Sequence, residues 1–242
     1  MFQIRLLRVS PRDDEWLPQW YFQTRRGILS HRGFLTAHDT PSTRGAYIRE
    51  RLLCDELPRP PEVDNNLEGI AAELEADGAE LSPREVRNIH MNQAGCSNCH
   101  ALLDPMGFPF DRFEQAGLDR EYYAGVRYKE GTRGEGRVVV PDEWDGETID
   151  VAGAIVGSQS VDQQVANHVE LVEALGAATE VKDCVAEHAY QYVNGVYGDE
   201  MNACELAEIQ TAFRRSDGNL MQLFVETVTA AALAPRSEIV AP

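Results

Sequence analysis

No stretch of the 242 residues holds about 18 consecutive apolar side chains, so no membrane-spanning helix is expected. The first residues, Met1 to Trp20, lack a basic segment followed by an apolar core and do not read as a secretory signal. Positive charge is scarce: 22 Lys and Arg stand against 40 Asp and Glu, for a formal charge of −18. So acidic a surface repels nucleic acid and anionic membranes, which argues against both as main partners. It suits a soluble protein, or one that docks on a basic patch of a redox partner. There is no internal repeat, no low-complexity tract, no phosphate loop, no Ser-His-Asp pattern and no paired-carboxylate motif, so nothing points to hydrolytic or nucleotide chemistry.

Cysteine is also scarce, with five in the chain, yet two of them run directly into a histidine in Cys96-Ser97-Asn98-Cys99-His100. Covalent haem c requires this order. Two thiols three residues apart add across the vinyl groups, and the adjacent imidazole binds iron from below. The motif predicts one covalent haem c, with Cys96 and Cys99 as anchors and His100 as the proximal iron ligand. Zinc would need four ligands, usually a second close pair, whereas Cys54, Cys184 and Cys204 lie singly and far apart in sequence. A thioredoxin-like pair belongs between a strand and a helix; here the flanks read as helix before the motif and irregular chain after it.

Periodicity predicts a mainly α chain in three parts. Residues 1–65 form an N-terminal helical segment and proline-rich linker, 66–158 a cytochrome c-like helical haem region with a small β-hairpin, and 159–242 a C-terminal helical bundle. In the first part, Ser30 to Ala37 suggests a short helix. Ser42 or Thr43 caps a second one bearing Tyr47, Ile48, Leu52 and Leu53, and Leu57-Pro58-Arg59-Pro60-Pro61 stops it. Ser82-Pro83-Arg84-Glu85 starts the helix that leads to Cys96, running to about Gln93. Phe108, Phe110 and Phe113 are available to pack on an apolar cofactor edge or in the core. Val138-Val139-Val140 and Thr148-Ile149-Asp150-Val151 suggest the hairpin. In the last part, Ser160 with Gln163 predicts a helix carrying Val161, Val165, Val169 and Val172. Further helix starts fall at Thr179, at Asn202 with Glu205, and after Asp217-Gly218-Asn219.

Whatever binds iron opposite His100 decides its chemistry, because Met or His gives an electron carrier and an open position admits small molecules. No methionine lies between Met106 and Met201, so the common downstream-methionine pattern is missing. His90 and Met106 are the local candidates for the sixth ligand, with packing the expected role of Met106. His168 and His188 fall on apolar helix stripes and read as core residues, and Met201 and Met221 are more remote options. Cys184 and Cys204 sit early in neighbouring helices and are a candidate disulfide, which leaves Cys54 as a buried thiol or an intermolecular partner.

The chain also resembles a known family. Arg25-Arg26-Gly27-Ile28-Leu29-Ser30-His31 with Phe34-Leu35-Thr36, then Arg44-Gly45 ahead of Leu52-Leu53-Cys54, is similar to the middle domain of planctomycete-type cytochrome c-like proteins. Closer still is His90, the motif Cys96 to His100, Asp104-Pro105-Met106-Gly107-Phe108, and then Phe113 and Gly117. Val181 to Leu233 resembles the family's small helical C-terminal domain. Members are described mostly as domains of unknown function and carry a further helical domain and a signal upstream. The resemblance therefore implies haem c and export more than any reaction.

Haem attachment outside the bacterial cytoplasm predicts a periplasmic or extracellular location, with the signal upstream of this chain. The leading expectation is a monohaem c-type cytochrome module carrying single electrons, part of a larger exported redox protein and working with a redox partner protein or domain. The alternatives are a haem-dependent enzyme domain with an open axial site and a non-haem interaction module that uses its cysteines for zinc or a disulfide.

Overall fold

The structure, a computed structural model, describes residues 25–58, 83–93, 95–113, 117 and 148–233. The expected strand Val138-Val139-Val140 and the linker beyond Pro58 lie outside them. Within them the protein is mainly helical, with one two-stranded antiparallel sheet.

A short 3-10 turn, Ile28–Ser30, leads into helix α1, Arg32–Ala37, where the His31 ring nitrogen accepts the Gly33 amide as a cap. Helix α2, Pro41–Leu52, begins two or three residues earlier than a cap at Ser42 or Thr43 implies. Pro41 has no N–H to lose and is preset for the first helical position, so Thr40 becomes the cap and forms a capping box with Thr43. Helix α3, Pro83–Met91, ends two residues short of the predicted Gln93 and delivers the chain to helix α4, Ser97–Gly107, which carries the motif. A 3-10 segment, Phe108–Arg112, follows without a break.

Helices α2 and α4 meet backbone to backbone. A Cβ on Gly45 of α2 would lie 1.9 Å from the Leu103 carbonyl oxygen, and one on Gly107 of α4 would lie 1.9 Å from that of Pro41. Under this crossing lies the main core of Leu35, Ile48, Met106, Phe110, Phe113, Ile155 and Leu171. Arg44 is only 1% exposed there. Its guanidinium donates to the carbonyls of His38 (2.7 Å) and Phe110 (3.0 Å) and stands 3.6 Å from the Asp111 carboxylate. A buried charge needs such a set of acceptors, and here it joins α2 to the segment after the motif.

The hairpin exists but is displaced. Strands β1, Gly153–Ile155, and β2, Gln163–Val165, pair with Ala154 opposite Gln164, whereas Ile149 to Val151 carries no strand. The predicted helix start at Ser160 fails for the same reason. The Asp162 carboxylate accepts the amides of Gly157 (3.0 Å) and Ser158 (2.7 Å) and closes the hairpin loop, so residues 163–165 extend into β2. These bonds, Ser158 foremost, hold the Asp162 carboxyl below the ordinary aspartate value. Val161 and Val165 still reach the same core as Val172, from loop and strand, which is why their spacing mimicked one helix.

Helix α5, His168–Ala177, starts instead at Asn167, whose side chain accepts the Val169 and Glu170 amides. Helix α6, Thr179–Asn194, ends on Gly195 in the left-handed region; α7, Ala203–Arg215, is capped by Asn202; α8 spans Leu220–Leu233. These three starts match the expectation. Ala186, Ala189, Tyr190, Ile209, Phe213 and Leu223 form a second core among α6, α7 and α8. Leu220, Phe224 and Val228 on α8 are exposed.

The Cys184–Cys204 disulfide is not formed. Cys184 is bonded to Cys54, with a Cα separation of 5.4 Å, and Cys204 is an exposed free thiol. The end of α2 packs against α6, so buried Cys184 faces Cys54, whereas Cys204 sits in the first turn of α7 on the solvent side. The link closes a loop with a sequence separation of 130 residues, for which chain entropy alone suggests about 4–5 kcal/mol of stabilisation.

Candidate functional site

The motif occupies the start of a helix, not the helix-to-irregular junction the sequence suggested. Gly95, with φ of 90°, makes the turn out of α3 that an L side chain resists, and Cys96 becomes the N-terminal boundary residue of α4. Its carbonyl accepts the His100 amide at 3.1 Å. At about 100° per residue, Cys96, Cys99 and His100 share roughly 100° of the helix circumference, so both thiols and the imidazole face the same side. Both cysteines are free thiols and half-buried.

The imidazole is held by its neighbours. His100 Nδ1 lies 3.1 Å from Asp104 Oδ2, one turn further along α4. Asp104 Oδ1 accepts a 2.6 Å hydrogen bond from Ser42 Oγ, which itself lies 3.4 Å from His100 Nδ1. Asp104 is 1% exposed, while the His100 side chain is 23% exposed. A carboxylate can only accept here, so Nδ1 carries the proton and the lone pair sits on Nε2. Ligating histidines in metal sites use this arrangement, with one ring nitrogen donating to a carboxylate and the other binding the metal.

Neither Ser42 nor Asp104 was singled out for this role in the sequence. The available signal was the i, i+4 spacing of His100 and Asp104, hidden because the chain after the motif reads as irregular. Pro105 lies inside α4, and the helix continues through it to Gly107.

Met106 lies in the main core with no exposed surface. It stands on the same unbroken helix as His100, about 9 Å further along and about 120° around. Two residues so placed cannot bind opposite faces of one porphyrin. His90 lies in the last turn of α3, and its side chain is outside the described residues. Met91, half-buried at the end of α3, is a further methionine near the motif that the sequence reading passed over.

The remote candidates were His168, His188, Met201 and Met221. The His168 ring lies against Phe113 and Phe110, with centroids 4.9 and 6.0 Å away, as expected of a core residue. The Met201 sulfur accepts from the Gln191 amide at 3.7 Å, and Met221 is 75% exposed on α8. His188 borders the Cys54–Cys184 disulfide, with Nε2 lying 3.8 Å and 3.6 Å from the two sulfurs.

Around the motif, Arg84 of α3 lies over the Phe108 ring at 3.2 Å from its centroid and donates to the Ala152 carbonyl at 3.0 Å, fixing α3 against two segments that follow α4. Phe110 and Phe113 are core residues. Among the described residues no helix is long and apolar enough to cross a membrane.

Residues 25–123 match the family PSCyt3, described as a protein of unknown function (DUF1588). The match covers the motif helix and everything described before it, which agrees with the family resemblance over that region. Neither a curated protein nor a solved structure matches the chain.

Proposed function

We propose that this chain is a monohaem c-type cytochrome module, with Cys96 and Cys99 as the thioether anchors and His100 Nε2 as the proximal ligand. The observation that carries the reading is the Ser42–Asp104–His100 contact, which fixes the imidazole tautomer with its lone pair on Nε2, on the helix face shared by the two free thiols. Haem c bound there supplies a one-electron Fe(III)/Fe(II) couple. The chain's own residues do the rest. Asp104 and Ser42 hold the ligand ring, and Gly45 and Gly107 allow α2 close enough for Ser42 to reach it.

The acidic surface suits a basic electron-transfer partner. The Cys54–Cys184 disulfide supports an oxidising compartment, periplasmic or extracellular. A second reading, an iron with an open sixth position, is favoured by one observation: Met106 is locked in the core on the same helix as His100.

Expression with an export signal and haem-attachment machinery, followed by optical spectra, tests both. Low-spin spectra in both oxidation states, unchanged by carbon monoxide, are expected of a carrier. A high-spin ferrous form that binds carbon monoxide establishes the open site, and a product without haem overturns the proposal.

A further inference from the structure

We propose that Cys54, Cys184 and His188 form a second, redox-gated metal site, which binds one thiophilic divalent cation of the Zn2+ class when the disulfide is reduced. The site is independent of the haem motif. Its three ligand atoms lie within 4.8 Å of one another, brought together by the end of α2 and one turn of α6.

Distances carry the inference first. Zinc binds thiolate at about 2.3 Å and imidazole at about 2.0–2.1 Å, so a zinc tetrahedron has S···N edges of about 3.6 Å and an S···S edge of about 3.8 Å. His188 Nε2 lies 3.8 Å from Cys54 Sγ and 3.6 Å from Cys184 Sγ, so both S···N edges are already in place. Only the sulfurs must part, by side-chain rotation. An oxygen stands near the fourth vertex: the Arg51 carbonyl lies 3.6 Å from Cys184 Sγ and 3.2 Å from His188 Nε2.

Hydrogen bonding then orients the ring. The Gln191 amide nitrogen donates to Glu187 Oε1 at 2.9 Å, and its oxygen lies 3.3 Å from His188 Nδ1. An amide oxygen only accepts, so Gln191 is placed to hold Nδ1–H while a metal takes Nε2, the outer-shell arrangement of a ligating histidine. In the disulfide form the Arg51 carbonyl, which also only accepts, lies 3.2 Å from Nε2 and is its hydrogen-bond acceptor. A cation bound at Nε2 takes the place of that proton and leaves Nδ1–H to Gln191. Backbone conformation adds a separate sign, because Cys54 holds φ of 54°, a left-handed position that L residues other than Asn, Asp and His rarely take and that clusters at functional sites.

The gating step balances with a dithiol reductant. Its first thiolate attacks Cys54 Sγ, the half-buried partner, and the S–S bond breaks with Cys184 leaving. Its second thiol resolves the mixed disulfide, so that the reductant ends as its own disulfide and the protein holds two thiols. Zn2+ then displaces two thiol protons on binding. A disulfide oxidant reverses the exchange: it takes the two electrons and ends as a dithiol, while Cys54 and Cys184 return to the disulfide, lose their hold on the metal and release it.

The test uses the full chain with Cys96→Ser, Cys99→Ser and Cys204→Ser, which leaves Cys54 and Cys184 as the only thiols and takes haem out of the readout. Reduced with dithiothreitol, desalted without oxygen and titrated with Co2+, it is expected to bind one ion per chain with sulfur-to-cobalt charge-transfer absorption. Zn2+ displaces the cobalt, and the oxidised chain binds none. His188→Ala weakens binding at least about 10-fold. If the reduced chain loses its circular dichroism, Zn2+ restores it. A reduced chain without the charge-transfer band, or equal affinity in His188→Ala, overturns the proposal.

Discussion

Asp104 and His100 form a carboxylate–imidazole pair within one helix, Oδ2 to Nδ1 at 3.1 Å, with the carboxylate 1% exposed and its other oxygen taken by Ser42 at 2.6 Å. The pair fixes which ring nitrogen is available to a metal, and it does so from a position that solvent does not compete for. Asp104→Asn removes the negative charge and weakens the hold on Nδ1, so the imidazole becomes a poorer donor to ferric iron. The reduction potential of the haem-loaded variant is expected to rise, by the equivalent of about 1–2 kcal/mol for a lost charge-assisted hydrogen bond. Equilibrium redox titration measures it. An unchanged potential in a variant that still attaches haem contradicts the assigned role of Asp104.

Gly45→Ala tests the helix crossing that brings Ser42 to the site. Alanine is the better helix former by up to about 1 kcal/mol, so propensity alone predicts a gain. The added Cβ would sit 1.9 Å from the Leu103 carbonyl oxygen, against rigid backbone, and overpacking of this kind costs about 1–3 kcal/mol or more. The clash wins, and urea unfolding should show a net loss of stability.

His38 predicts a pH dependence. Burial first, and then the nearby Arg44 guanidinium, hold its imidazole below the ordinary value of 6.5, with the ring against Phe34 and Tyr47 at centroid distances of 4.8 and 4.9 Å. The folded state therefore binds fewer protons than the unfolded state in the window from 6.5 down to the depressed folded value. Stability rises with pH through that window, is fully present above it, and is lost as pH falls. His38→Gln should flatten this part of the stability profile in denaturant melts across pH 5–7, and an unchanged slope would count against it.

Much of the architecture was legible because local chemistry and tertiary structure agree. Asn202, Thr179 and the Asp217-Gly218-Asn219 turn start the helices they were expected to start. The failures share one physical cause: the chain's long-range neighbours were invisible. Val161 and Val165 fit a helical period, yet the Asp162 loop and pairing with Gly153 make that segment a hairpin. Cys184 was matched with its neighbour in sequence, Cys204, when packing of α2 on α6 brings Cys54 from 130 positions away. The motif residues Cys96, Cys99 and His100 announced themselves by spacing. Ser42 did not, because only the close crossing of α2 and α4 carries it to Asp104.

The central claim is that Cys96 and Cys99 anchor one haem, and the intact mass of the exported chain tests it most directly. The mass should exceed that of the polypeptide by one covalent haem, in Cys204→Ser as in the parent, and Cys96→Ala with Cys99→Ala should return it to the bare chain. A bare-chain mass for the parent, under conditions that load a control cytochrome c, would contradict the account.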